Sequence, residues 1–187
     1  MTEQHDAPGV IVGIFVSPEA GAPMRALDGA EAIAGQGLVG DRYQHGEGFM
    51  SDRRGGGLEL TLVEDEALTQ LSAENAVQIT AADSRRNLAT RGVDLTALVG
   101  RRFQIGDVVC RGVRLCEPCV RIEQLIGKPF VKPMVHRAGL RADILTSGTI
   151  RVGDAVIVLP DADRDDADGD DRLSATPGVA STDAEPG

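Results

Sequence analysis

Hydrophobic and polar positions divide the chain into short segments, most with the two-residue period of strands. Gly9 to Val16 (GVIVGIFV) is an apolar, β-branched run that predicts a strand, and Ser17 to Gly21 supplies a turn after it. Ala30 to Ala34 is small and apolar and leads into a glycine-rich bend, Gly35 to Tyr43. Leu58-Glu-Leu-Thr-Leu-Val63 alternates and predicts a half-buried strand. Glu64 to Glu74 predicts a short helix, with acidic residues in its first turn and Ala67, Leu68 and Leu71 on one face. Val77 to Thr80 reads as another strand, and Asp94 as the N-cap of a short helix that runs through Leu98 and closes at Gly100. Two later segments echo each other: Phe103 to Val109 and Ile150 to Val158 each place Gly-Asp between β-rich runs, as a type II′ hairpin requires. The pattern therefore predicts a mostly β, barrel-like or α+β domain that is mainly antiparallel, with a few short helices.

A different texture appears at Arg114-Leu-Cys-Glu-Pro-Cys-Val-Arg-Ile-Glu-Gln-Leu-Ile-Gly127. Pro118 suits the first position of a helix, where its missing N–H costs nothing. Val120, Ile122, Leu125 and Ile126 form a rough apolar face, and Gly127 with Pro129 marks the stop. On this reading Cys119 stands in the first helical turn, beneath unpaired backbone N–H groups. Such a place, with Arg114 and Arg121 on either side, draws a thiol pKa down from about 8.5 towards roughly 3.5–7.5. Four roles are open to the C-x-x-C pair. A structural zinc site would have to recruit Cys110 and His136. A thioredoxin-like pair would need a preceding βαβ pattern. Two buried structural thiols are a common alternative. The remaining one is a single functional sulfur at Cys119, acting as soft ligand or sulfur carrier.

Composition narrows the classes. The 187 residues are 42% hydrophobic but only 3% aromatic, with no Trp, so the core must be aliphatic. A formal charge of −10 argues against a nucleic-acid binder or a polybasic membrane binder. No apolar run is long enough to span a bilayer. The N-terminal eight residues, expected to be flexible, lack the pattern of a secretory signal, and three cysteines fit a reducing cytoplasm. Residues 161–187 hold nine acidic residues against Arg164 and Arg172, and so carry −7 of the −10. This stretch predicts a disordered, solvating tail, or else a segment that docks a partner. The domain proper is then 9–160. A mobile loop with Arg53-Arg54 is expected over 46–57. Gly35, Gly37 and Gly40 match G-x-G-x-x-G, but no helical period follows Gly40, and a dinucleotide site is not expected. The glycines instead permit a bend that fixes Asp41 and Arg42.

Five motifs occur in order: Gly35-x-Gly-Leu-x-Gly-Asp-Arg42, Arg85-Arg-Asn-Leu-x-Thr-x-Gly-Val-Asp-Leu95, Phe103-x-Ile-Gly-Asp107, Cys116-Glu-Pro-Cys119 and Ile150-x-Val-Gly-Asp154. Together, over residues 9–160, they resemble the MOSC domain of molybdenum-cofactor sulfurases, of the mitochondrial amidoxime-reducing proteins and of free-standing bacterial relatives. The resemblance implies a β-barrel-rich fold that binds the molybdenum cofactor, a pterin with a phosphate and a dithiolene-held metal. It places the metal-ligating or sulfur-bearing cysteine at Cys119 and the Arg-x-Asn element at Arg85 and Asn87, the arginine on the cofactor's anionic group. Arg86, Asp41, Arg42 and Pro118 join them as candidate binding residues, while His45 and His136 are expected to be ordinary polar residues. The implied activity is reduction of N-hydroxylated compounds with electrons from a separate redox partner. The alternatives are sulfur or cofactor carriage without turnover, and a non-catalytic interaction module. A pyridoxal-phosphate Schiff base is not expected, because Lys128 and Lys132 are the only lysines and no desulfurase-like segment precedes the domain.

Overall fold

The computed structural model describes residues 8–48 and 56–160. The expected tail over 161–187, most of the N-terminal stretch expected to be flexible, and Arg53-Arg54 of the expected loop lie outside the described residues. Within them are eleven strands and four α-helices. The strands are β1 (Gly9–Val16), β2 (Arg25–Leu27), β3 (Gly29–Ile33), β4 (Gly37–Leu38), β5 (Leu60–Glu64), β6 (Leu88–Arg91), β7 (Arg102–Ile105), β8 (Val108–Leu115), β9 (Leu140–Ile144), β10 (Gly148–Arg151) and β11 (Ala155–Val158). The helices are α1 (Asp65–Asn75), α2 (Ala81–Ser84), α3 (Val120–Ile126) and α4 (Val131–Met134).

Seven strands close into a barrel in the order β11-β7-β8-β9-β5-β6-β1, sealed by pairing of β1 with β11. Closure leaves these strands no free edge. The β2 strand hangs on β1, and β10, β3 and β4 form a separate small sheet. Every barrel pairing is antiparallel except β5 with β6. A parallel pair needs a long crossover, and α1 and α2 supply it.

Alternate positions fill the interior with aliphatics: Leu60 and Leu62 of β5, Leu140 and Ala142 of β9, and Phe103 and Ile105 of β7 share one core. Each Leu, Ile or Phe among them, fully buried, contributes about 1.5–3 kcal/mol. Val63 and Ala89 point the other way, into a second core with Leu68 and Leu71 of α1, Ile122 of α3, Met134 of α4 and Phe130 just before it. The helices thus pack on the outside of one barrel wall, the wall that carries the site. The β5 strand was expected to be half-buried. Instead Thr61 is buried too, because that strand is covered on its outer face as well.

Three further expectations are corrected. Residues 77–80 form no strand: Ile79 drops into the second core, its N–H bound by the Ser72 hydroxyl, and Thr80 caps α2 in a capping box with Asp83. The Gly106-Asp107 turn is a two-residue hairpin, with Ile105 opposite Val108 and a left-handed Gly106 (φ +54°). The second Gly-Asp is not: β10 pairs with β3 and β11 with β7 and β1. There Gly153 and Asp154, whose carboxylate accepts the Arg151 N–H at 2.7 Å, turn the chain from one sheet into the other. Finally, α3 begins at Val120, two residues later than expected. Cys119 is its N-cap, in extended conformation (φ −134°, ψ 152°), and Pro118 lies outside the helix.

Candidate functional site

Strand β8 delivers the cysteine stretch to the outer face of the barrel. At its end the Cys116 N–H donates to the Gly139 carbonyl at 2.7 Å, which fixes Cys116 in the interior at 1% exposure. Two residues of turn follow, and Cys119 emerges exposed at the head of α3. Helix α3 is anchored to α4 by Glu123, whose carboxylate accepts the N–H groups of Phe130 and Val131. Glu117 leans away from the cysteines. It accepts from the backbone N–H and faces the ring Nδ1 of His136, and these contacts, with Arg86 nearby, hold its carboxyl below the usual range.

Next to this stretch lies a cavity of about 320 Å³, against outward-facing Thr61 of β5 and Arg141 of β9. Six arginines line it: Arg42, Arg85, Arg86, Arg114, Arg121 and Arg141. Glu117 is the one carboxylate in the lining, and Pro118 and Cys119 stand at its edge. In a chain of net charge −10 this concentration of guanidinium groups is a local inversion of sign.

The arginines are held in different ways. Arg85 sits in the left-handed region (φ 59°) just after α2 and donates to the Ala22 carbonyl at 2.8 Å. Burial, and then the like charge of Arg42, press its pKa below the ordinary value, against the pull of Asp41. Arg86 is 4% exposed and spends its guanidinium on three carbonyls, those of Ala138, Ser84 and Cys116. Arg42 pairs with Asp41 at 3.3 Å and lies over the Tyr43 ring, 5.0 Å from its centroid. Arg114 is exposed, and its guanidinium has no hydrogen bond or ion pair with any described residue. A bulge at Gly112–Arg114 sets Arg114 directly opposite Arg141.

Of the residues expected to bind, Cys119, Pro118, Arg85, Arg86 and Arg42 meet in this cavity. Asn87 and Asp41 do not line it. Asn87 accepts from the Thr61 N–H and hydroxyl and donates to the Phe15 carbonyl and to Asp41. Asp41 accepts from Ser17 N–H, Asn87, Arg42 and Tyr43 N–H. Both are buried with their polar atoms spent, so they are struts behind the wall and position Arg42 and Tyr43. Arg141 was missed as a site residue, although the alternation Leu140-Arg-Ala142 already sends it to the face opposite the core. Arg114 and Arg121 were read only as neighbours of the thiol.

The remaining cysteine is elsewhere. Cys110 faces the barrel interior at 0% exposure, and burial, followed by the charges of Glu59 and Asp143, pushes its pKa up to about 12. It therefore cannot join Cys119 around a metal. Among the described residues no group of three or more His, Cys, Asp or Glu could hold a metal ion. A metal bound by Cys119 would have to arrive with its other ligands already attached.

The profile of the MOSC domain matches residues 55–157. The chain belongs to the MOSC domain family. No curated protein matches it at a significant level. Solved structures do. The YuaD protein of Bacillus subtilis is similar with a TM-score of 0.67 at 17% identity, over 80% of this chain and 95% of that one. YiiM of Geobacillus stearothermophilus follows with 0.64 at 14% identity, over 82% and 76% of the two chains. YiiM of Escherichia coli gives 0.59 at 14% identity, over 82% and 71%. At such identities the likeness is one of fold, and this MOSC domain shares the barrel with them. Among its described residues no helix is long and apolar enough to cross a membrane.

Proposed function

We propose that this MOSC domain binds the molybdenum cofactor in the arginine-lined cavity, with Cys119 as the one protein ligand to its metal or as the carrier of its sulfur. The observation that supports this reading is the pairing of a single exposed thiol with six guanidinium groups around one 320 Å³ cavity. A soft sulfur donor suits a soft metal. Planar guanidinium forks suit the oxygens of a phosphate, which they grip in bidentate fashion. Arg114, exposed and without a partner among the described residues, and Arg85, crowded by Arg42, are the groups with most to gain from an anion. Arg86, Asn87 and Asp41 hold the wall in shape. The cofactor, when bound, would supply a metal able to pass two electrons to an N-hydroxylated small molecule, giving N–H and water with two protons. Those electrons come, on this reading, from a separate redox protein.

The test is analysis of metal and pterin in protein purified from a host that makes the cofactor. Wild type is expected to carry molybdenum and pterin, and Cys119→Ser to lose the metal. Wild type without either refutes the proposal. The exposure of Cys119 also favours a second reading, sulfur or cofactor carriage without turnover, since a partner can reach the sulfur directly. A persulfide on Cys119 by mass spectrometry, without reductase activity towards N-hydroxylated compounds, selects that reading.

A further inference from the structure

Beside Arg114 and Arg85 a third guanidinium of the cavity lacks partners, and burial makes its want the most acute. Arg141 is only 9% exposed. It stands on the outer side of β9, between Leu140 and Ala142, which belong to the barrel core. A left-handed Gly57 (φ +82°) lies against its stem, so close that a Cβ there would stand 2.9 Å from Arg141 Cβ. The Gly57 carbonyl accepts from Nη1 at 3.3 Å, and no other hydrogen bond or ion pair to a described residue holds the group. A guanidinium is a fork of several N–H donors and does not shed its proton. Arg86, also buried, spends its fork on three carbonyls. The rest of the Arg141 fork faces the cavity that it lines.

The neighbours deepen the deficit. Thr61, opposite on β5, has its hydroxyl engaged with Asn87. Arg114, opposite on β8, adds a like charge, and such cross-strand pairs are destabilising. Asp143, two residues along β9, stands opposite Arg111 and accepts the Gly57 N–H; among the described residues it makes no ion pair with Arg141. A buried charge without partners costs free energy until an opposite charge arrives. Arg141 and Arg114 thus offer one fork from inside the wall and one from solvent. The other basic end of the cavity lies apart from them. Besides burial, the charges that move the Arg85 pKa are those of Arg42, Asp41, Tyr43 and Arg121, and neither Arg114 nor Arg141 is among them.

We propose that Arg141 and Arg114 form a second oxyanion subsite, separate from the one at Arg85 and Arg42, so that the cavity holds two oxyanions at once. This rests on the reading of the cavity as an anion site and deepens it. Planar forks grip carboxylate or phosphate oxygens in bidentate fashion. The second oxyanion is either a further acidic group of the cofactor or an acidic group on the small molecule that reacts there. In the latter case the site selects N-hydroxylated compounds that carry a carboxylate or a phosphate.

The experiment counts inorganic phosphate bound to the full chain by equilibrium dialysis, in a buffer free of other oxyanions, with protein from a host that lacks the cofactor. Wild type is expected to bind two phosphates. Arg141→Met should lose one of them, its affinity there falling roughly 10- to 150-fold, the worth of one charged hydrogen bond. Arg114→Ser should weaken the same place, and Arg85→Met only the other. Melting gives a second readout. Without phosphate Arg141→Met should melt at or above wild type, since Met removes an orphaned charge from the wall. Phosphate should then raise its melt less than that of wild type. A lower melt with an undiminished phosphate shift would make Arg141 a structural residue and overturn the proposal. So would a single phosphate on wild type that Arg85→Met and Arg141→Met both abolish, which leaves one anion site standing. No binding by any chain overturns the anion reading along with it. Protein loaded with the cofactor separates the two sources. One phosphate still bound there, and lost in Arg141→Met, assigns the second oxyanion to a substrate; none assigns it to the cofactor.

Discussion

Arg86 is the residue on which the geometry of the site most depends, and replacing it gives a quantitative test. Its guanidinium is buried and ties together three segments distant in sequence: Nε donates to Ala138 at 2.9 Å, Nη1 to Ser84 at 3.2 Å and Nη2 to Cys116 at 3.0 Å. A hydrogen bond from a charged donor contributes about 1.5–3 kcal/mol net. Three of them do not simply add, because Arg86→Met also removes the cost of burying the charge. The three carbonyls left without a donor cost about 1–3 kcal/mol each, and set against the relief of burying the charge this gives an expected destabilisation of about 3–5 kcal/mol. Against a total stability of about 5–15 kcal/mol this is a large fraction. For a chain of this size it lowers Tm by roughly 6–20 °C. Urea unfolding followed by circular dichroism reads the change as a shift in midpoint at constant slope. Arg86→Lys keeps the charge without the planar fork and should fall between the two. An Arg86→Met chain within about 1 kcal/mol of wild type would mean that the carbonyls find other donors, and that Arg86 is no strut.

The other predictions concern backbone, thiols and charge. Gly139→Ala should abolish folding or cost several kcal/mol, since φ is +98° there and a Cβ would stand 1.8 Å from the Leu62 carbonyl oxygen; soluble yield and thermal melting read it, and a near-native melt refutes the packing. Thiol titration of the native protein should find one fast cysteine, Cys119, with Cys110 and Cys116 reacting only after denaturation; a second fast thiol would contradict the burial of the other two. Glu64 has its pKa raised, first by burial and then by Asp94 and Glu66, so its contribution to stability is greatest below the usual glutamate value and is lost as pH rises through the folded one. Glu64→Gln keeps an oxygen for the Leu95 N–H and should therefore be more stable than wild type at neutral pH, the gain shrinking towards about pH 4; a gain independent of pH refutes the charge argument. Asp41→Asn leaves one oxygen for four donors and should cost about 3–5 kcal/mol by urea unfolding; an unaltered midpoint would show that the hub is dispensable.

The local rules of the chain were legible without coordinates. Local apolar pattern gave β1, β5, β7 and β11 but not β6 or β9, and five spaced motifs gave the family. The cysteine stretch pointed to Cys119 as the thiol beside arginines. These are short-range properties, fixed by steric preference and by which side of a strand faces the core. Residues 77–80 and the Gly153-Asp154 corner escaped because the same local pattern serves either a paired strand or a free connection. Pairing is decided by what lies across the sheet. The distinction between Arg85, which lines the cavity, and Asn87, two residues on, which is spent on Thr61, Phe15 and Asp41, depends on partners 26 to 72 residues away. The gathering of six arginines from five separate stretches is likewise a product of barrel closure. By itself, then, the sequence determined part of the barrel's strands, the family and the cysteine to look at. Only the tertiary structure decided which charges share a cavity and which are spent as struts. Long-range contacts set both burial and the supply of hydrogen-bond partners, and no local period encodes them.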